Sequence, residues 1–314
     1  MSRLAVMAHY DVAGKLRPHV RGQVDALAAS VDTLVVCTAS RLDDDARALL
    51  AERARLVERA NYGYDFFSYK VGLDSVGDLS SYDEVVVCND TYVFALDSYQ
   101  PIFDEMDDRA CDFWGLTATQ RVAPHIQSFF VAFRPWVVAS RTFRGFWEGM
   151  DPISRRRQVI RRYEIGMSSR LHEAGFESGA YFVENDEDRR ISRERVRWWA
   201  AHRSPMPRTR AEVRELRERA SEPWNPARSL ADRVLDDARL PYVKIDTLRY
   251  DPYKLDADRL LTLCERRFPD RFRGVREYLA ETAEHYVLRD EERLRPTPLP
   301  LEPWFLRVRY THVR

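Results

Sequence analysis

Short apolar runs alternate with longer stretches of helical periodicity through the first half of the chain. Leu4 to Ala8 reads as a strand, and Val20 to Ser30 carries its apolar residues at helical spacing. Thr33 to Cys37 is β-branched, while Asp43 to Arg55 is rich in the Ala, Leu and Arg that favour helices. Arg55 to Glu58 predicts a third strand, Asn61-Tyr62-Gly63-Tyr64 a turn, and Ser68 to Val76 a helix. Glu84 to Cys88 predicts a buried strand running into Asn89-Asp90-Thr91. Further on, Ile126 to Phe133 reads as one strand and Phe143 to Met150 as a short aromatic helix. A helix from about Ser154 to Ala174, broken near Gly166, stops at Gly175-Phe176.

Alternation of this kind predicts an α/β fold, a mostly parallel sheet covered by helices on both faces. Ligands of such sheets bind beyond the carboxyl ends of the strands. That rule singles out His9-Tyr10-Asp11, Thr38-Ala39-Ser40 and Asn89-Asp90-Thr91. From Glu187 to Pro223 Arg and Glu dominate, reading mainly as a solvated helical face with paired charges. Trp198-Trp199 keeps open an acceptor-binding or membrane-facing surface there. A small helical tail follows Pro241-Tyr242-Val243-Lys244 to about Leu288, and a Pro-rich stretch, Pro296 to Pro303, ends the chain.

Composition narrows the class. The 314 residues suffice for one large α/β domain with an appendage, and Lys+Arg and Asp+Glu both total 50. With no net charge, no overall field favours nucleic acid or a membrane. Cys37, Cys88, Cys111 and Cys264 form no CxxC pair and read as small buried hydrophobes. No segment resembles a secretion signal, and none approaches the roughly 18 to 20 apolar residues of a membrane span. The expectation is a cytoplasmic protein, with peripheral attachment at the inner membrane face left open.

Candidate chemistry gathers at a few places. Asp90 is a carboxylate at a strand end, flanked by the amide and hydroxyl oxygens of Asn89 and Thr91. Such oxygens suit Mg²⁺ or Mn²⁺, although an Asx-turn ending the strand needs the same residues. Asn61, Gly63, Asp65 and Lys70 lie at a strand-to-helix junction that either receives phosphate or is simply capped by Asp65. Trp114, Gly115, His125, Gln127 and Ser128 mix aromatic and polar groups, as sugar sites do, though Trp114 fits a plain core equally. Glu164 opens a helical stretch with Arg170 two turns on, able to aim a carboxylate into a cleft or to complement the helix dipole.

In order, Ala8 to Asp11, Asn61 to Lys70, Tyr82-Asp83 with Asn89 to Thr91, Asp112 to Thr117, His125 to Phe130, Tyr163 to Ser168 and Pro241 to Lys244 resemble the rhamnan synthesis protein F family. The resemblance spans roughly residues 3 to 250. It implies a GT-A-type, Rossmann-like glycosyltransferase moving a deoxyhexose, typically L-rhamnose from dTDP-rhamnose, to a glycan or lipid-linked glycan in cell-surface polysaccharide synthesis. It also implies Glu164 as the base of an inverting reaction and places Asn89 to Thr91 where related enzymes carry a metal-binding Asp-X-Asp. Here only Asp90 is acidic, so a divalent cation would be held weakly, or else replaced by Lys70, His125 or arginines. His9, Tyr10, Asp11 and Asp65 would line the nucleotide pocket.

The expected organisation is a catalytic domain over 1–185, an Arg-rich helical insertion or acceptor arm over 186–240, and a helical segment over 241–314 packing on the catalytic domain. Two rivals stand beside the transferase. One is a catalytically silent carbohydrate-binding or scaffold subunit of a polysaccharide assembly complex. The other is a sugar-1-phosphate nucleotidyltransferase, which should carry a Gly-rich basic loop after the first strand, where this chain has Ala8-His9-Tyr10-Asp11.

Overall fold

The computed structural model describes residues 1–203, 209–212, 214, 224–286 and 294. Strands β1 (Arg3–His9), β2 (Thr33–Thr38), β3 (Arg55–Glu58) and β4 (Glu84–Asn89) alternate with helices α1 (Pro18–Ala28), α2 (Asp44–Ala51) and α3 (Tyr64–Val76). After β5 (Tyr92–Phe94) and α4 (Gln100–Asp107) come the short strands β6 (Phe113–Gly115), β7 (Ala118–Thr119) and β8 (His125–Ile126), then β9 (Phe130–Phe133). Helices α5 (Pro135–Val138), α6 (Arg141–Glu148), α7 (Arg156–Val159) and α8 (Gly166–Glu173) lead to β10 (Ser178–Ala180) and α9 (Asp186–His202). The last strand is β11 (Tyr242–Lys244).

Seven strands form the main sheet in the order β10-β6-β9-β4-β1-β2-β3. All neighbours are parallel except β9, which runs against both β4 and β6. This is the mixed, mostly parallel, Rossmann-like sheet that the alternation predicts, flanked by helices and followed by a helical C-terminal region. Every residue of β1 is buried, because both faces are covered. Ala5 and Met7 pack with Val20, Val24 and Leu27 of α1, while Leu4 and Val6 meet Phe66, Tyr69 and Leu73 of α3.

Three local expectations change. Helix α3 starts at Tyr64, not Ser68, because Gly63 (φ 75°) makes a left-handed N-cap. A Cβ on Gly63 would lie 2.6 Å from Phe67 Cβ, so glycine is required on steric grounds as well. The Arg59 guanidinium ties the turn down by donating to the carbonyl oxygens of Ala60, Tyr62 and Tyr64. The single strand expected from Ile126 to Phe133 is broken by a turn between β8 and β9. There the Gln127 N–H donates to the Thr117 carbonyl and its side-chain oxygen accepts from the Thr117 hydroxyl. Finally, the break expected near Gly166 is a π-helical turn, Ile160–Ile165, inserted between α7 and α8.

The C-terminal region is joined to the sheet domain through β11, which pairs antiparallel with β5 and sets Lys244 opposite Tyr92. A separate apolar cluster, including Val93, Val243, Leu248, Leu260 and Phe272, forms around that junction. Helix α9 buries Asp188, Ser192, Val196, Trp199 and Ala200 on one face and pairs Arg190 with Glu194 outside. The charge-rich segment is thus a packed helix as far as His202. Most of 204–223, and the Pro-rich 296–303, lie outside the described residues. Among the described residues no helix is long and apolar enough to cross a membrane.

Asp188 fastens the start of α9 to two arginines further along the chain. Its carboxylate accepts from Arg233 at 2.7 Å, from Arg239 at 2.6 Å and, in a capping box, from the Asn185 N–H. Burial opposes its charge, but these donors prevail and hold its pKa below the ordinary value. Asp188→Ala takes the buried partner from Arg233, leaving it only the exposed Asp236, and should lower stability by about 3 kcal/mol, the scale of breaking a buried pair from one side. Denaturant titration checks this, and a loss under about 1 kcal/mol, the scale of a surface pair, would contradict it.

Candidate active site

At the carboxyl end of β4 the side chains stop being apolar. Asn89 amide N–H donates to Asp65 Oδ2 at 2.7 Å, joining β4 to the first turn of α3. Asn89 Oδ1 accepts from the backbone N–H of Thr91 at 3.1 Å and from its hydroxyl at 2.7 Å. The Thr91 oxygen in turn accepts from the Lys244 ammonium at 2.6 Å. The ammonium also sits 4.2 Å from the centre of the Phe129 ring. Asp90, half-buried, accepts from the Tyr10 backbone N–H at 2.8 Å, which ties the end of β4 to the end of β1.

A second group faces the first. Glu164, in the π turn, accepts from the Ser128 hydroxyl at 2.8 Å through Oε2, while its Oε1 lies 3.4 Å from His125 Nε2. His125 Nδ1 is 2.7 Å from the Ala123 carbonyl, so Nε2 is left for Glu164. Burial works against charge on His125, but Glu164 and the Ala123 carbonyl outweigh it and raise its pKa above the ordinary value. The Tyr69 hydroxyl donates to the Ser128 carbonyl from α3, beneath both groups. The charges of Asp65, Asp90 and Glu164 all act on that phenol, so the three acids stand around one buried spot at the strand ends.

Electrostatics there is dominated by desolvation. Burial, reinforced by the charges of Asp65 and Asp11, pushes the Asp90 carboxyl up to about 8. Asp65 is also raised by burial, although the Asn89 amide opposes the shift. Burial lowers the Lys244 ammonium to about 8 against the pull of Asp246, Glu164 and Asp65. A recess in which acids resist ionising and an amine resists protonation is poised for a charged, hydrogen-bonding ligand.

Of the residues expected at the site, the structure gathers Tyr10, Asp65, Asn89, Asp90, Thr91, His125, Ser128 and Glu164. Asn61 is exposed on the turn that Gly63 makes at the start of α3. The rest lie elsewhere. Trp114 is fully buried with its indole N–H donating to Glu84, so it presents no face to a sugar. Gly115 is a packing residue: a Cβ there would lie 2.3 Å from Ile126 Cγ2 and 2.7 Å from the Phe130 carbonyl oxygen. Gln127 turns its side-chain oxygen to the Thr117 hydroxyl, and Lys70 pairs with Asp74 along α3 at 3.0 Å.

Asp11 is buried and braces the loop after β1. It accepts from the N–H groups of Ala13 and Lys15 and from Arg17, which also pairs with Glu281 in the C-terminal region. His9 falls on the α1 face of the sheet by strand alternation, its Nδ1 2.9 Å from Thr38 Oγ1, and burial lowers its pKa to about 4. Lys244 is the site residue to which no role was assigned from the sequence. Its signals in the sequence are the family-like stretch Pro241 to Lys244 and a lysine closing a three-residue strand, while its partner Thr91 is 153 positions away.

The donors available to a divalent cation are few. Asp90 offers a carboxylate, but Asp65 and the Asn89 oxygen are engaged by Asn89 and Thr91, and the Thr91 oxygen by an ammonium. Among the described residues no group of three or more His, Cys, Asp or Glu side chains is arranged to hold a metal ion. This set does not fit a cation held by the protein alone, since Mg²⁺ takes a near-octahedral shell of oxygens.

Several known proteins are similar to this chain. The uncharacterized protein y4gN of Sinorhizobium fredii is 23% identical over 188 residues, covering 58% of this chain and 49% of its own length. The chain thus spans about half of that curated relative. A cytidylyltransferase from Leptospira borgpetersenii is 14% identical, with a TM-score of 0.38 over 60% of this chain and 78% of its own. The glycosyltransferase GlyE of Streptococcus pneumoniae is 10% identical, with a TM-score of 0.37 over 59% of this chain and 46% of its own. The model of the rhamnan synthesis protein F family matches residues 34–206, which run from β2 through Glu164 to beyond α9 and make up more than half of the chain, and the chain belongs to that family.

Proposed function

We propose that this chain is an inverting glycosyltransferase that moves an L-rhamnose-like deoxyhexose from a nucleotide-diphospho-sugar, dTDP-rhamnose being favoured, to a glycan or lipid-linked glycan. The observation that carries this reading is Glu164, held by Ser128 and His125, its charge acting on the same Tyr69 phenol as those of Asp65 and Asp90. A base must be fixed in direction and must face the donor, and two partners on its two oxygens supply the first condition. Family membership supports the class of reaction.

In this reading the acceptor hydroxyl gives its proton to Glu164 as its oxygen attacks the anomeric carbon. The carbon–oxygen bond to the diphosphate breaks on the opposite face, and the electron pair leaves with the diphosphate, so configuration inverts. Ser128 and His125 are positioning residues. Asp90 and Asn61, on the side of α3 and β1, would meet the hydroxyls and phosphates of the donor.

Glu164→Gln should lower turnover by at least about 10²-fold, the scale of general-base loss, while calorimetric affinity for thymidine diphosphate is kept. Near-normal turnover in that variant would remove Glu164 from the mechanism. A wild-type chain that binds sugar nucleotides but never turns them over, with or without acceptor, would instead favour the silent carbohydrate-binding subunit.

Asp90 supplies a test of the recess itself. Its pKa is raised by folding, so the stability it contributes is complete below the unfolded value of ~4 and is lost as pH rises through about 8. Asp90→Asn has no proton to lose. Its melting temperature should therefore gain steadily on the wild type between about pH 5 and about pH 8 and level off above. A difference that stays constant across that window would show that the carboxyl is not raised.

A further inference from the structure

We propose that Lys244 is the built-in counter-cation for the donor diphosphate, filling the role that a divalent metal ion plays where two acids flank the strand end. The inference rests on the transferase reading above and concerns how that same site holds its leaving group.

The placement is set by the backbone. Pairing of β11 with β5 puts Lys244 opposite Tyr92, next to the Asn89-Asp90-Thr91 turn. The ammonium is 2.6 Å from Thr91 Oγ1 and stands over the Phe129 ring. Both contacts fix a long, otherwise mobile side chain in one position. An ammonium has three N–H donors, and Thr91 takes one. Asp246, Glu164 and Asp65 act on the ammonium as opposite charges, but among the described residues none of them forms a salt bridge with it. Arg156, exposed at the start of α7, acts on Lys244 as a second positive charge.

The same atoms disfavour a metal ion. Asn89 and Thr91 stand where the outer acids of an Asp-X-Asp would be. The amide is committed to Asp65, and the hydroxyl oxygen already receives a positive charge. A divalent cation placed against that oxygen would meet the ammonium at close range. A diphosphate oxygen placed there would complete its hydrogen bonding, in a charge-assisted contact of the kind that stabilises a departing phosphate.

The test is titration calorimetry of the full chain with thymidine diphosphate and uridine diphosphate, each in EDTA and in Mn²⁺, on wild type, Lys244→Met and Lys244→Arg. We expect the wild type to bind one of the two in EDTA, with affinity changed less than about twofold by Mn²⁺. Lys244→Met should lose at least about tenfold, the least expected for a hydrogen bond to a charged group, and Lys244→Arg should recover most of it. Binding by wild type only when Mn²⁺ is present would overturn the inference and leave the transferase reading intact. So would equal binding by Lys244→Met, or failure of a folded Lys244→Arg to bind better than Lys244→Met. A wild type that binds neither nucleotide in either condition would take down the transferase reading and the inference together.

Discussion

A hydrogen-bonded chain of four side chains holds the recess together: the Lys244 ammonium donates to Thr91, Thr91 to Asn89, and Asn89 to Asp65. A cation stands at one end and a carboxylate at the other, so each bond polarises the next. The chain crosses three separately built elements, β11, the turn after β4 and the first turn of α3. The link to Asp65 holds the strand-end turn against α3 and the link to Lys244 holds it against β11, while Asp90 ties it separately to Tyr10.

The sheet explains why polar groups gather at the ends of its strands. Strands β1, β2 and β4 are covered on both faces, so their interiors are apolar and their polar residues are confined to the ends. Alternation then decides which end residues are available. Asn89 projects toward α3 and the recess, whereas His9, on the neighbouring strand, projects toward α1 and is buried there. Two residues of equally promising chemistry are thus separated by one step of register.

Much of this was legible in the sequence. The βα alternation predicts the sheet and its helices, and a strand ending in Asn89-Asp90-Thr91 marks the candidate site. Resemblance to the family pointed to Glu164. Three things were not legible, for different reasons. Trp114 and Gly115 carry side-chain chemistry suited to a sugar site, but burial against Glu84 and Ile126 depends on tertiary packing that spacing does not encode. Asp11 looks like a ligand carboxylate, yet the N–H groups of Ala13 and Lys15 and the Arg17 guanidinium engage both of its oxygens, which only the folded turn reveals. Lys244 was hidden by distance along the chain, since no local period connects it to Thr91.

The pairing of β11 with β5 also has a bearing on how the protein is made. Synthesis runs from the N-terminus, and domains fold as they emerge. Strands β1 to β9, the π turn and Glu164 are all complete before residue 242 leaves the ribosome, so a sheet with a strand-end turn and a base can form early. The ammonium arrives last, across a contact of high sequence separation that is slow to close. A nascent chain therefore carries the strand-end acids without the Lys244 ammonium for an interval, and the completed cluster is a late product of its own biosynthesis.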